Sequence, residues 1–201
     1  MAEKLSIEIF RRKDAEDFTK SLADPESRTD VGSGAAMTAA VSAAYLHRAA
    51  ALMLQRQPEN ERLDWLARNS ETLRTYMVNL IDEDVKCRGP LRRAIKEGDP
   101  QKIEAAHQPA VAIAQEILGM MTQSMEFLRE LSDQAEAGEK TYLAASAELA
   151  MATMKACVHY IVDTSEACTD ETYRFVIHRE NEITMEQYRS VYEGILEKTV
   201  K

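Results

Sequence analysis

A short glycine motif leads into a long run of small residues that carries one basic pair. Gly32, Ser33 and Gly34 come first, and His47 and Arg48 lie near the middle of the run. A Gly-Ser-Gly turn before a helix leaves backbone N–H groups that can hold a carboxylate or a phosphate. Two cations seldom lie on an apolar helix face unless an anion meets them, and histidine exchanges protons near neutral pH. We therefore predict that the glycine motif and Arg48 bind a ligand and that His47 is catalytic.

Each of these features also has a purely structural interpretation. A Gly-Ser-Gly motif is an ordinary helix start in most proteins. A histidine flanked by apolar residues, such as His47, is more often a hydrogen-bonded core residue than a catalyst. The acidic run "DEDVK" at 82–86 is typical of a solvated helix face. At this point both interpretations stay open.

Metal binding is a second possible chemistry. Glu104 and His107 have the Glu-x-x-His spacing that places two ligands on one helix face, as in di-iron bundles. Such a bundle needs a second copy of the motif and two further glutamates, and neither His159 nor His178 has a glutamate three residues before it. We therefore predict no metal and no cofactor. Three cysteines at no metal-ligand spacing are predicted to be reduced thiols: Cys87, Cys157 and Cys168.

Composition restricts the class of protein. The 201 residues are 45% hydrophobic without a break in composition, which predicts one domain over 1–201. A formal net charge of -9, with basic residues interspersed among acids, argues against a nucleic-acid partner. The first residues do not resemble a signal peptide, and the apolar run after Gly34 is interrupted at His47 and Arg48. We expect a cytoplasmic protein that has no membrane partner.

The elements that position these residues are predicted to be helices throughout, since no β-branched alternation persists along the chain. Helices are expected over about 6–22, 33–56, 100–135 and 141–164, with a bend at Pro109. A further helix begins at about residue 60 and is expected to kink or end at Gly89-Pro90. Two last helices are expected to be capped by Thr169 and Thr184. The fold class is therefore an all-α, single-domain bundle of about six to seven helices. Two of these, both rich in alanine, are expected at its centre.

Small side chains on two helices let their backbones approach closely. The helices over 33–56 and 141–164 are therefore expected to pack against each other or against their copies across a dimer interface. Because these helices have few large side chains with which to build a core, we predict a homodimer.

Four segments, in this order, resemble the formiminotetrahydrofolate cyclodeaminase and methenyltetrahydrofolate cyclohydrolase family: "GSGAAMTAAVSAA", "LIDEDV", "AAHQPAVAIAQE" and "AGEKTYLAASAELAMATMKA". The resemblance covers roughly residues 18–164 and depends on order and spacing. It implies an all-helical subunit, a homodimer, a tetrahydrofolate derivative as substrate and a folate site near the subunit interface.

The family pattern is matched only in part. Asp84 matches the acidic residue of the family's Asp-x-x-Ala-Phe segment, although Cys87 and Arg88 stand where the family has Ala and Phe. Ala144 and Ala145 stand where the family has a Ser-Asp pair. Because alanine cannot transfer a proton, another group would have to serve as the acid or base.

The resemblance implies a cyclodeaminase or methenyltetrahydrofolate cyclohydrolase type of reaction in one-carbon metabolism. The candidate catalytic residues are His47, Asp84 and Glu148, in that order, and Glu139 is a further candidate. The alternative is a non-catalytic or repurposed helical dimer of the same fold that binds another small molecule, because fold does not determine function.

Overall fold

The computed structural model describes residues 9–166 and 168–200, and these residues contain helices and no strand. A 3-10 turn at Phe10–Arg12 precedes six α-helices: α1 (Ala15–Ala23), α2 (Val31–Arg56), α3 (Glu61–Glu97), α4 (Pro100–Ser132), α5 (Ala137–Ser165) and α6 (Glu171–Thr199). The predicted all-α class is confirmed. None of the described helices is both long and apolar enough to cross a membrane.

Short polar side chains start most of these helices. Five begin after an Asp or Asn whose side chain accepts a hydrogen bond from a backbone N–H of the first turn: Asp14, Asp30, Asn60, Asp99 and Asp170. Helix α5 instead begins with a capping box made by Glu136 and Glu139. Helix α3 ends at Gly98, whose φ of 68° lies in the left-handed region that favours glycine.

The ends of the chain differ from the predicted helices. In place of one helix over 6–22, a 3-10 turn is followed by extended backbone at Lys13 and then by α1. Residues 6–8 lie outside the described residues. The two predicted last helices form the single helix α6, with Asp170 rather than Thr169 as its cap. Thr184 lies inside α6 because the segment 171–193 has neither glycine nor proline to end a helix.

Prolines interrupt the middle helices less than the sequence predicts. Helix α3 continues through Gly89-Pro90 to Glu97, and α4 continues through Pro109 to Ser132. The two helices are joined at a tight turn around Gly98, so they form a long antiparallel hairpin. Near its tip a small separate cluster of buried residues joins Leu91 to Ala106 and Ala110.

Helix α2 lies at the centre of the bundle and packs on α3, α4 and α5, while α6 packs on α4 and α5. The predicted contact between the two alanine-rich helices forms within one chain. At its middle the Ser42 hydroxyl donates to the Ser146 carbonyl (2.9 Å) and the Ser146 hydroxyl donates to the Ser42 carbonyl (2.8 Å). Side chains this small let the two backbones approach closely enough for such reciprocal bonds.

Two of the three acidic residues in the run at 82–86 are buried, contrary to the structural interpretation of the sequence, whereas Glu83 is partly exposed. Asp82 and Asp84 are 8% and 1% exposed, respectively. The Asp82 carboxylate accepts hydrogen bonds from the backbone N–H groups of Phe10 (2.8 Å) and Arg11 (3.3 Å) and therefore holds the amino-terminal segment against α3. Asp84 holds α2.

The first turn of α2 has no room for a side chain where it meets Asp84. A Cβ atom built on Gly32 would lie 2.0 Å from Asp84 Oδ1, far inside van der Waals contact. A Cβ on Gly34 would lie 3.7 Å from Leu22, which is an ordinary contact. The two glycines of the motif therefore have different roles, and only Gly32 is required for the close approach of α2 and α3.

This difference predicts opposite effects of two alanine substitutions. Gly32→Ala is expected to lower the free energy of unfolding by about 1 to 3 kcal/mol, because the new methyl group must displace the Asp84 carboxylate. Gly34→Ala should be neutral or stabilise by up to about 1 kcal/mol, because alanine favours helix over glycine.

Denaturant unfolding of the two variants beside the unmodified protein measures both effects. Equal stability of Gly32→Ala and Gly34→Ala would contradict the proposed packing of Asp84 against Gly32.

Candidate functional site

The Asp84 carboxyl is buried between α3 and the first turn of α2. The Ser33 hydroxyl donates a hydrogen bond to Asp84 Oδ2 (2.7 Å), whereas Oδ1 has no hydrogen-bond partner among the described residues. Burial raises the pKa of Asp84, and the opposing effects of Ser33 and of the Arg92 charge are smaller. A carboxyl group with a raised pKa can hold a proton closer to neutral pH, which is a requirement for a general acid.

Two arginines of α3 hold the amino end of α2 from the other side. Asp30, the N-cap of α2, accepts a hydrogen bond from the Val31 N–H (2.7 Å) and is ion-paired with Arg88 and with Arg92 (3.5 Å). Arg92 also donates to the Ser27 carbonyl (3.0 Å) in the connector between α1 and α2. The pair of arginines therefore holds both the helix start and the connector that precedes it.

Arg88 joins this ion pair to α5. Its guanidinium lies over the ring of Tyr160, 4.7 Å from the ring centroid, in a cation–π contact. Burial lowers the pKa of Arg88, because desolvation disfavours the charged form. Burial also raises the pKa of the Tyr160 hydroxyl, and the nearby Asp84 charge acts in the same direction.

A cleft of about 660 Å³ opens beside this cluster. Its walls are the end of α1, the connector between α1 and α2, the first turn of α2 and one side chain of α3. The lining residues include Leu22, Asp24, Glu26, Asp30, Val31, Gly34 and Arg92. A volume of this size is within the range of small-molecule sites. Asp84 is not among the lining residues, because the first turn of α2 separates it from the cleft.

The glycine motif does not form the predicted turn. Gly32 and Ser33 are buried within the first turn of α2, and only Gly34 lines the cleft. The amino end of the helix already faces two carboxylates of the chain: Asp30 accepts from the Val31 N–H, and Asp84 lies against Gly32 and Ser33. The expectation that this helix end holds an anionic part of a ligand is therefore not supported by the geometry.

His47 and Arg48 do not line this cleft. They lie 13 and 14 residues beyond Gly34 on the same helix, a distance of about 20 Å along the axis. His47 Nδ1 lies 2.9 Å from the Ala67 carbonyl and donates to it. Arg48 lies over the ring of Tyr142, 4.7 Å from its centroid. The contact of His47 matches the structural interpretation of this residue as a hydrogen-bonded histidine.

The two glutamate candidates have structural partners. Glu148 accepts a hydrogen bond from the Tyr192 hydroxyl (2.6 Å) across the contact between α5 and α6. Glu139, 4% exposed, completes the capping box of α5 and is ion-paired with Arg56 (3.1 Å). Within one chain the structure therefore leaves His47, Asp84 and Glu148 in three separate places.

Glu104 and His107 of the Glu-x-x-His motif do not form a common site. The Glu104 carboxylate accepts hydrogen bonds from the Thr169 N–H (2.9 Å) and from the Cys168 thiol (3.2 Å), which holds the segment before α6. His107 is 3% exposed, and neither ring nitrogen has a hydrogen-bond partner among the described residues. In this part of the chain, no three His, Cys, Asp or Glu side chains lie close enough to hold a metal ion.

Sequence reasoning missed Arg92 and Tyr160 and treated Arg88 only as a departure from the family's phenylalanine. The spacing of Asp84, Arg88 and Arg92 at i, i+4 and i+8 places all three on one face of α3, and this signal was available in the sequence. The contact of Arg88 with the Tyr160 ring explains how a cation is accommodated where an aromatic side chain was expected.

Comparison with known proteins agrees with this fold. The sequence profile described as formiminotransferase-cyclodeaminase matches residues 14–182. The crystal structure of a formiminotetrahydrofolate cyclodeaminase from Thermotoga maritima superimposes with a TM-score of 0.86 at 15% identity, over 94% of this chain and 96% of that one. A search of curated proteins finds no match. Because the profile covers most of the chain, this protein belongs to the formiminotransferase-cyclodeaminase family.

Proposed function

We propose that the chain is an enzyme of tetrahydrofolate one-carbon metabolism, with a reaction of the cyclodeaminase or methenyltetrahydrofolate cyclohydrolase type at the cleft beside the amino end of α2. One observation carries this proposal within the family. It is a buried carboxyl group, Asp84, whose pKa is raised and which lies directly behind a cleft large enough for a small molecule. Perturbed ionisable groups beside a cleft are characteristic of catalytic sites.

The reaction closes or opens a one-carbon bridge between two nitrogens and requires a proton to reach the leaving amine or to leave an attacking water. Asp84 is our first candidate for this proton transfer, because His47 and Glu148 lie away from the cleft. In the free chain Asp84 is 1% exposed. The proposal therefore includes a shift of the first turn of α2 on substrate binding, since catalytic hydrogen bonds often form only in the substrate complex.

Asp30 is a group of the cleft wall that can contact a substrate without movement of the helix. Other charged residues line the same cleft: Asp24, Glu26 and Arg92. The Asp30 carboxylate lines the cleft and is held by Arg88 and Arg92. A carboxylate fixed in this way can accept a hydrogen bond from a ligand N–H group and orient it. We assign Asp30 to ligand binding and Asp84 to proton transfer.

Binding tests the substrate class. Tetrahydrofolate and its formyl and formimino derivatives are expected to raise the melting temperature of the purified protein. A ligand present at one hundred times its Kd stabilises the folded state by about 2.7 kcal/mol. No stabilisation by any of these folates would contradict a folate substrate.

Turnover tests the role of Asp84. Asp84→Asn is expected to lower cyclodeaminase or cyclohydrolase turnover about 100- to 10,000-fold, because asparagine cannot transfer a proton. Asp82→Asn is the matched control, since Asp82 is also buried on α3 but its hydrogen bonds within the described residues are to Phe10 and Arg11. We expect the folded fraction of this control to keep its turnover.

His47→Ala in the same assay separates the two leading sequence candidates. A large loss in His47→Ala with normal turnover in Asp84→Asn would assign the chemistry to His47 and contradict our choice.

A non-catalytic member of the fold is the second candidate function. It is favoured by Ala144 and Ala145, which replace the expected Ser-Asp pair, and by the separation of Asp84 from the cleft. Stabilisation by a folate without detectable turnover in the unmodified protein would support this alternative over an enzyme.

We also propose a homodimer, formed through the outward face of α2 and α5. Val41 is 40% exposed on this face of α2. Further small or apolar residues that are not fully buried follow the same helical spacing: Met37, Ala44, Ala145, Leu149 and Ala152. An apolar face on the two central helices of a bundle is typical of a subunit interface. We further propose that the protein is located in the cytoplasm.

The interface proposal predicts a change of oligomeric state. Val41→Glu is expected to convert a dimer to a monomer in sedimentation at micromolar concentration, because the new charge would be buried between subunits. Ile183→Glu is the control, because Ile183 is 49% exposed on α6, away from this face. An unmodified protein that sediments only as a monomer would contradict the homodimer.

A further inference from the structure

Three buried polar atoms behind the first turn of α2 have no hydrogen-bond partner among the described residues. They are Oδ1 of Asp84, Nε of Arg88 and the hydroxyl of Tyr160. Nη1 of Arg88 also has no hydrogen bond within the described part of the chain, but it is ion-paired with Asp30. Asp84 is 1% exposed and Tyr160 6% exposed. Buried polar atoms in folded proteins almost always have a partner, so three exceptions in one place require an explanation.

Contacts bring the three side chains to the end of the bundle where α2, α3 and α5 meet. Asp84 Oδ1 faces Gly32, and Arg88 is ion-paired with Asp30 at the start of the same helix. Asp84 and Arg88 are four residues apart and project from the same face of α3. The Arg88 guanidinium lies 4.7 Å from the centroid of the Tyr160 ring. The Asp84 charge also raises the pKa of the Tyr160 hydroxyl, which agrees with their proximity.

The chemistry of the three atoms is complementary to one small polar molecule. Arg88 Nε is a donor, the Tyr160 hydroxyl can donate or accept, and Asp84 Oδ1 is an acceptor while its carboxyl is ionised. Polar groups that lie near one another without a direct bond are commonly bridged by water. A substrate group fits less well, because the first turn of α2 separates Asp84 from the cleft.

We infer that Tyr160 is a positioning residue for Asp84: its hydroxyl, Arg88 Nε and Asp84 Oδ1 together bind one water molecule beneath the first turn of α2. This inference rests on the proposed function in one respect, namely that the Asp84 proton is used in the reaction. Tyr160 does not touch the substrate. It acts by holding the water that hydrogen-bonds to the Asp84 carboxylate.

Other groups near Asp84 could also affect the pKa measured for its carboxyl group. Helix α2 contributes the uncharged Ser33 hydroxyl. The other ionisable neighbours of Asp84 are Arg92 and Cys87 on α3 and Cys157 on α5. Burial raises the pKa of Cys157 to about 12, so this thiol stays neutral over the range in which Asp84 titrates.

Tyr160→Phe tests the inference because it keeps the ring beneath Arg88 and removes only the hydroxyl. We expect the pKa of Asp84 to rise by about one unit, since a hydrogen bond to a carboxylate favours its charged form. Carbon-13 NMR of labelled aspartate side chains measures this pKa, with the Asp84 signal assigned from Asp84→Asn. If a folate is turned over, the limb of the pH–rate profile governed by Asp84 should move to higher pH by the same amount.

Tyr192→Phe is the matched control. It removes a tyrosine hydroxyl that also donates to a carboxylate, that of Glu148, at the contact with α6. The pKa of Asp84 should be unchanged in this variant. An unchanged pKa of Asp84 in folded Tyr160→Phe overturns the inference. Because the NMR titration needs no substrate, the inference can fail or hold independently of folate turnover.

A crystal structure of the unmodified protein keeps the inference testable if Tyr160→Phe does not fold. We expect one ordered water within about 2.7 to 3.2 Å of at least two of the three atoms. A Tyr160 hydroxyl bonded directly to another protein group, or no ordered water at this place, overturns the inference.

Discussion

The close approach of Gly32 to the Asp84 carboxyl is the contact on which the rest of the structure depends. Helix α2 packs on three other helices, and its amino end is positioned by α3 through this contact and the Ser33 hydrogen bond. A carboxyl group buried so completely is removed from bulk water, and the hydrogen bond from Ser33 replaces only part of that hydration. The same contact therefore both orients the central helix and perturbs the acidity of Asp84.

Charge around this contact is balanced by parts of the chain that are distant in sequence. Arg88 and Arg92 come from the last third of α3, Asp30 from the connector before α2, and Tyr160 from near the end of α5. Desolvation acts on Asp84 and Arg88 in opposite directions, and each is moved toward its neutral form. A buried carboxyl group with a raised pKa is suited to proton transfer, which is why this end of the bundle, rather than the His47 region, is the better candidate for chemistry.

The sequence predicted the helices well where periodicity and caps act locally, and less well where a contact with a distant segment decides. The all-α class and the small-residue contact of α2 with α5 follow from residue types along each helix. The burial of Asp82 could not be predicted in this way, because its partners are about seventy residues away, at Phe10 and Arg11. Asp84 was found through its resemblance to a family motif, whereas Tyr160 belongs to no motif and could be found only from its packing on Arg88.

The two buried aspartates of α3 impose a constraint on the length of the chain. Asp82 and Asp84 are two residues apart and hold different partners, the amino-terminal segment and α2. Each residue of an α-helix turns the chain by about 100°. A single residue inserted or deleted between them would rotate one carboxyl away from its partner. The number of residues between the two aspartates is therefore fixed by the positions of their partners.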